Sequence, residues 1–191
     1  MQWNFTSTNA LHMETNIYQN VHNGNKVTFL KTAKETNGKS TLIEFELAAK
    51  QGTIKHFHKS YTETIIILNN ELTLCADGHF YTLRNSQNLQ ITPGVVHFYR
   101  NGTSTPTKFL IHLQPGQPAF EKALMIDCGL ARDGLTNKKG VPQKFSHRAL
   151  LATMFDTHLP GALQLLTLLF RITAKLAMKN GELSKLITRY C

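Results

Sequence analysis

Four side chains in this 191-residue sequence are of types and spacings that could hold a metal ion: His56, His58, Glu63 and His97. His56 and His58 are two apart. On an extended strand, side chains at i and i+2 share a face, so both imidazoles reach one point. Glu63 follows a short turn, and an adjacent antiparallel strand would bring its carboxylate to the same point. His97 lies early on a later strand, on the face of Val95 and Tyr99, and would supply a fourth ligand from across the sheet. Three neutral imidazoles and one carboxylate suit a single divalent transition metal: Fe, Mn, Ni, Co, Cu or Zn. On an octahedral ion, four such ligands leave two positions open for water, dioxygen or substrate. This reading turns Ile54 inward with His56 and makes Tyr99 a candidate substrate-binding residue. It names no catalytic residue, because Glu63 would act as a base only if it left the metal.

The elements that must position these residues are short. From Lys26 onward, runs rich in β-branched and aromatic residues alternate with Gly, Asn and Pro. The runs are Val27–Ala33, Ser40–Ala48, Thr53–His58, Thr62–Leu68, Leu72–Ala76, His79–Leu83, Leu89–Ile91, Val95–Arg100 and Thr107–Leu113. Turn signals separate them, clearest at Asp77–Gly78. Nine short strands without a helical period predict a mainly β sandwich, jelly roll or barrel. Ile43, Phe45 and Leu47 form one apolar face, and Phe109, Ile111 and Leu113 another. Cys75 reads as a buried strand residue, and His112 faces away. His12, His22, His79, His147 and His158 lack partner spacing and read as surface or structural. After Pro115, Gly116 and Pro118 the period becomes helical, over Phe120–Ala131, Lys144–Phe155 (with Ser146 as a cap), Gly161–Met178 and Glu182–Tyr190. Residues 1–25 read as an arm with one short helix around Leu11–Tyr18, residues 26–116 as the barrel and residues 117–191 as a helical extension.

Both segments that carry the candidate ligands resemble the signature motifs of the cupin superfamily. The first motif is G-x5-H-x-H-x3,4-E-x6-G. Here its opening glycine is displaced to Gly52, and Asn70 stands in place of its closing glycine, in a turn where Asn tolerates positive φ. The second ends P-x-G-x2-H-x3-N. Pro93 directly precedes Gly94, while the spacing Gly94–His97–Asn101 matches, and Gly78 stands for the glycine that opens the motif. All four ligand positions are intact. The resemblance spans Val27–Gly116. It implies a six-stranded double-stranded β-helix (jelly-roll) barrel, a bound metal and a dimer; the three to four helices read from the period after it are not part of the core motif. The stretch from Met154 to Gly161 resembles a helical extension found in some cupin-domain proteins of unassigned activity.

Composition bounds the function. The net charge is +9, and it is uneven: residues 116–191 hold eleven Lys+Arg against five Asp+Glu, an excess of six. No nucleic-acid motif and no Lys/Arg run longer than Lys138–Lys139 accompanies it. Three cysteines without C-x-x-C spacing exclude a disulfide framework or zinc ribbon. The opening residues lack a signal-peptide pattern, so a reducing cytoplasm is the expected compartment. The Gly161–Met178 helix carries an apolar run too short to span a bilayer, and it reads as a core or partner-facing helix. A peripheral membrane contact is a less favoured alternative. Three functions stay open: a mononuclear-metal oxygenase or isomerase, a non-catalytic small-molecule sensor or binding module, and an interaction protein using the basic tail. The last predicts an apolar stripe over Leu163–Leu176 that stays exposed once dimer formation is accounted for.

Overall fold

The computed structural model describes residues 17–191. Most of the expected arm, including His12, lies outside the described residues. Its last part is not helical: Ile17–Gln19 forms strand β1, paired antiparallel with β2 (Lys26–Lys31). The remaining strands are β3 (Thr41–Leu47), β4 (Thr62–Asn69), β5 (Glu71–Ala76), β6 (His79–Arg84), β7 (Asn88–Ile91), β8 (His97–Arg100) and β9 (Thr107–Gln114). They form a six-stranded sheet in the order β1-β2-β3-β9-β4-β7 and a three-stranded sheet in the order β6-β5-β8. Period-2 patterning produces the layers. In β3, Thr41, Ile43, Phe45 and Leu47 point inward, while Leu42, Glu44 and Glu46 are only half-buried. Register then stacks like on like: Ile43 faces Ile111 and Phe45 faces Phe109 across β3 and β9. Leu72, Leu74, Leu83 and Tyr99 close the same core from the smaller sheet.

The expected strand Thr53–His58 is a departure. Thr53 N–H donates to Tyr99 O (2.9 Å), whereas His56 N–H donates to His97 O (2.9 Å) and His56 O accepts from His97 N–H (2.7 Å). Three chain steps thus face two on β8, and the extra residue breaks the ladder into isolated bridges. The bulge turns Ile54 outward, so it stands 66 % exposed instead of inward. Gly52 is needed here for another reason. A Cβ at this position would lie 2.5 Å from Tyr99 O. The conformation expected of the motif's first glycine falls instead on Lys50, six residues before His56, at φ 63°. Asn70 holds φ 61°. Both turns keep the left-handed geometry without glycine.

Four helices follow: α1 (Pro118–Arg132), α2 (Phe145–Met154), α3 (Gln164–Lys179, preceded by a 3-10 turn at Gly161–Leu163) and α4 (Glu182–Tyr190). Pro118 opens α1, where its missing N–H costs nothing. Ser146 is not the cap of α2. The helix begins two residues earlier, at Phe145, so Lys144 occupies that position and Ser146 lies inside the first turn. The helices share a second core built on Ala123, Ile126, Leu130, Leu150 and Ala174.

Glu121 on α1 ties the two cores together. Its buried carboxylate accepts from Ala33 N–H and from Thr41 Oγ1, both at 2.6 Å. Thr41 Oγ1 in turn accepts from Gln117 N–H at the start of the helix (2.9 Å). Hydrogen bonds to buried charged groups contribute about 1.5–3 kcal/mol each. Glu121→Ala is therefore expected to destabilise the chain by roughly 3 kcal/mol, read as a lower urea midpoint. An unchanged midpoint would show that α1 docks without this anchor.

Candidate metal centre

The four candidate ligands meet at one end of the barrel. Glu63 is the second residue of β4, and His97 opens β8 directly beside His56. Gly94 N–H donates to His58 O (2.7 Å), so the two motif segments are joined through their backbones. Gly94 itself sits at φ 87°, a left-handed turn that favours glycine. Asn101, fully buried, fastens the far end of the second segment. Its amide donates to Leu47 O (3.1 Å), Ala48 O (3.2 Å) and Thr105 O (2.8 Å).

All four side chains are buried. The donor atoms of His56, His58 and His97 lie within 4.8 Å of one another. His56 Nε2 and His58 Nε2 are 3.1 Å apart. Glu63 Oε2 stands 3.5 Å from His58 Nε2 and 3.4 Å from His97 Nε2. Donors held about 2.1 Å from one ion are separated by ~3.0 Å at right angles and ~3.4 Å in a tetrahedron, so these spacings fit a shared metal.

The hydrogen bonds on the other side of each ring sharpen the fit. His56 Nδ1 reaches Ile54 O (2.7 Å), His58 Nδ1 reaches Asp156 O (3.1 Å) and His97 Nδ1 reaches Val95 O (3.0 Å). A carbonyl only accepts, so each Nδ1 carries the proton and each Nε2 presents a lone pair to the common centre. Among the described residues, buried His97 Nε2 has no hydrogen-bond partner, with Glu63 Oε2 beside it at 3.4 Å. An unpaired buried acceptor is costly, and a cation among these lone pairs would satisfy it. The electrostatics agree. Burial, followed by the neighbouring His58 and His97, pushes His56 down to about 4. Burial opposes the charge of Glu63, but the facing His58 and His97 outweigh it and hold its carboxyl below the usual range. For His97, burial is likewise outweighed by Glu63, and its pKa rises.

These shifts set a pH profile for metal-free protein. His56 binds its proton less readily folded than unfolded, so stability falls as pH drops from about 6.5 to about 4. The raised His97 works in the opposite sense, losing its contribution as pH rises through its folded pKa. Burial raises Asp127 to about 6, and its contribution runs against that of His56 on the acid side. The His56 contribution is therefore read as the difference in denaturation midpoint between wild-type and His56→Ala apo protein, which is expected to turn against the wild type as pH falls below 6.5. A difference that moves in favour of the wild type below pH 6 would contradict the assignment.

A cavity of about 320 Å³ adjoins this cluster, with His56, His58 and Glu63 among its lining residues. Phe45, Ile111 and Tyr99 form its barrel wall. Tyr99, the candidate substrate-binding residue, does line the cavity, and burial raises its pKa, so the phenol stays protonated. The opposite wall comes from the helical extension: Phe120 and Leu124 of α1, Ala152 of α2, then Phe155 and Thr157. Ile54 stands at the rim.

The extension also grips the ligand loop, a role missed at the level of sequence. Asp156 Oδ2 accepts from Lys59 N–H (2.7 Å), Ser60 N–H (2.8 Å) and Ser60 Oγ (2.8 Å), and Oδ1 contacts His158 Nε2 (2.9 Å). His158 is structural as expected, and its ring stacks on Phe57 with centroids 5.2 Å apart. Tyr61 stacks on the His58 ring (4.6 Å) while its hydroxyl donates to Phe155 O (3.0 Å). The one available signal was the Met154–Gly161 stretch, whose place against the barrel no spacing rule reveals.

No family model matches the chain. It is 34 % identical over 56 residues to the HTH-type transcriptional regulator SutR of Escherichia coli (strain K12), a match covering 28 % of this chain and 32 % of that protein. The match therefore spans about a third of that relative's length. Among solved structures, KdgF from Halomonas sp. superposes with a TM-score of 0.50 at 10 % identity, covering 59 % of this chain and 97 % of that one. An RmlC-like cupin from Shewanella frigidimarina gives 0.49 at 16 % identity, covering 60 % and 96 %. With its two sheets, its strand order and its C-terminal helices, the chain has the cupin double-stranded β-helix fold.

Proposed function

We propose that this cupin holds one divalent transition metal through His56, His58, His97 and Glu63, and binds a small, largely apolar molecule in the adjoining cavity. The observation that carries this reading is the set of three imidazoles with Nδ1 on a carbonyl and Nε2 turned to a common point. A metal bound there would supply Lewis acidity toward an oxygen of the ligand. The chain's own residues do the rest. Phe45, Ile111, Phe120 and Phe155 exclude water and match an apolar body. Tyr99 offers a hydroxyl donor near the metal end, and Thr53 and Thr157 add polar points. Glu63 faces two rings and serves as a ligand, leaving no free carboxylate among the lining residues to act as a base.

That last feature favours binding over proton-transfer catalysis. The position of the helices favours a sensor. Phe120, Ala152 and Phe155 touch the cavity and belong to the helical unit, so an occupant would press directly on it. Oxygenase or isomerase chemistry is the second reading, since four such ligands would leave room on a six-coordinate ion for a substrate oxygen. Elemental analysis of purified protein tests the metal, with about one equivalent per chain expected. Ala152→Phe tests the cavity. It is expected to keep the metal and abolish the thermal shift given by small apolar carboxylic acids or ketones. An undiminished shift would place the ligand elsewhere.

A further inference from the structure

The outer face of α3 has no role in the metal centre or its cavity. Leu165, Leu168, Leu169, Ile172 and Leu176 are all about half exposed or more, with Leu165 at 77 %. Their spacing puts them on one face of the helix. The opposite face is already used: Thr167, Ala174 and Ala177 are buried against the other helices. An uncovered apolar stripe of this length marks a docking surface. Its charges indicate what docks. From Thr157 to Gly181 the formally charged side chains are Arg171, Lys175 and Lys179, with no carboxylate among them. They are spaced i, i+4, i+8 and so form a row along one flank of the stripe. Among the described residues none of the three takes part in an ion pair.

We infer that this face seats the protein on an anionic lipid bilayer, with α3 lying in the plane of the interface. Leucine and isoleucine side chains would enter the acyl boundary, while the three cations reach up to headgroup phosphates along their own aliphatic stems. Two other occupants fit less well. In a two-fold antiparallel pairing of α3 with a second copy, each flank meets its own counterpart, so the two cationic rows would oppose each other with no carboxylate to separate them. A helix crossing the bilayer would carry Arg171 and Lys175 into hydrocarbon and strip Ala174 and Ala177 from their core. Lying flat satisfies both faces at once.

The test is co-sedimentation of the full chain with vesicles of phosphatidylcholine containing about a third phosphatidylglycerol, against pure phosphatidylcholine. Binding to the anionic vesicles is expected, with at least a tenfold loss on the neutral ones and in high salt. Leu165→Gln/Leu169→Gln/Ile172→Gln and, separately, Arg171→Glu/Lys175→Glu are each expected to lose binding while keeping metal content and helicity. Because metal content is read in the same samples, failure here is distinct from failure of the metal assignment. Wild-type protein left in the supernatant overturns the inference. So does a solution dimer that the triple glutamine variant converts to monomer without any vesicle binding. Pelleted protein that resists alkaline extraction also overturns it, in favour of a spanning helix.

Discussion

Purified His58→Ala/His97→Ala protein is expected to carry less than a tenth of the metal found in the wild type, measured by elemental analysis at neutral pH. Removing two of three imidazoles leaves His56 and Glu63, a pair that cannot surround an ion. His97 and His58 are also the two rings nearest Glu63 Oε2, at 3.4 and 3.5 Å. The double variant thus strands a fully desolvated carboxylate, and an unpartnered buried charge costs several kcal/mol. The apo form of the variant is accordingly expected to be less stable than wild-type apo protein, and Glu63→Gln added to it should restore part of the loss. Unchanged metal content in the double variant would remove the assignment entirely.

Asp156→Ala is expected to weaken metal binding about 10- to 100-fold without touching a ligand, the usual effect of losing an outer-shell partner. Its carboxylate fixes the Lys59–Ser60 turn, and its own carbonyl orients His58. Burial works against its charge, but the donors from Lys59, Ser60 and His158 prevail and lower its pKa. Asp156 also holds φ 50°, a conformation that Asp and Asn tolerate better than Ala. Asp156→Asn should therefore keep the turn and recover most of the affinity, whereas Asp156→Gly keeps the backbone and loses the carboxylate. Titration of apo protein with Zn²⁺ or Co²⁺ reads all three. Equal affinity in the Ala and Asn variants would show that the side chain does not set the position of His58.

The barrel was legible because its physics is local. Alternation in β3 and β9, the Asp77–Gly78 turn and the convergence of i, i+2 histidines all follow from chain geometry over a few residues. The convergence of the four candidate ligands needed only that geometry and the motif spacing. Thr53–His58 was misread because an alternating sequence looks the same whether or not the partner strand is one residue shorter. The far wall of the cavity was invisible for a deeper reason. Phe120, Leu124, Ala152 and Phe155 sit on helices whose period shows that one face is buried, but not against what. Asp156 was missed on similar grounds, since an Asp after a helix normally means a turn. Apolar residues of α3 within Leu163–Leu176 are exposed on the single chain, while the expectation drawn from the sequence concerned the stripe left after dimer formation.

One property of the histidine cluster bears on how this protein can change over generations. Ile54, Asp156 and Val95 hold the three rings through main-chain oxygens, which every residue type possesses. No replacement at those positions can delete an acceptor. Replacements can only move it, as at Asp156, where the chain needs an unusual twist. The proton pattern of the cluster is thus inherited with the path of the backbone, not with the identity of the neighbours. Cavity-wall residues such as Ala152 and Phe155 lack that protection. A lineage could rewrite the wall while the arrangement of the three rings persists unchanged.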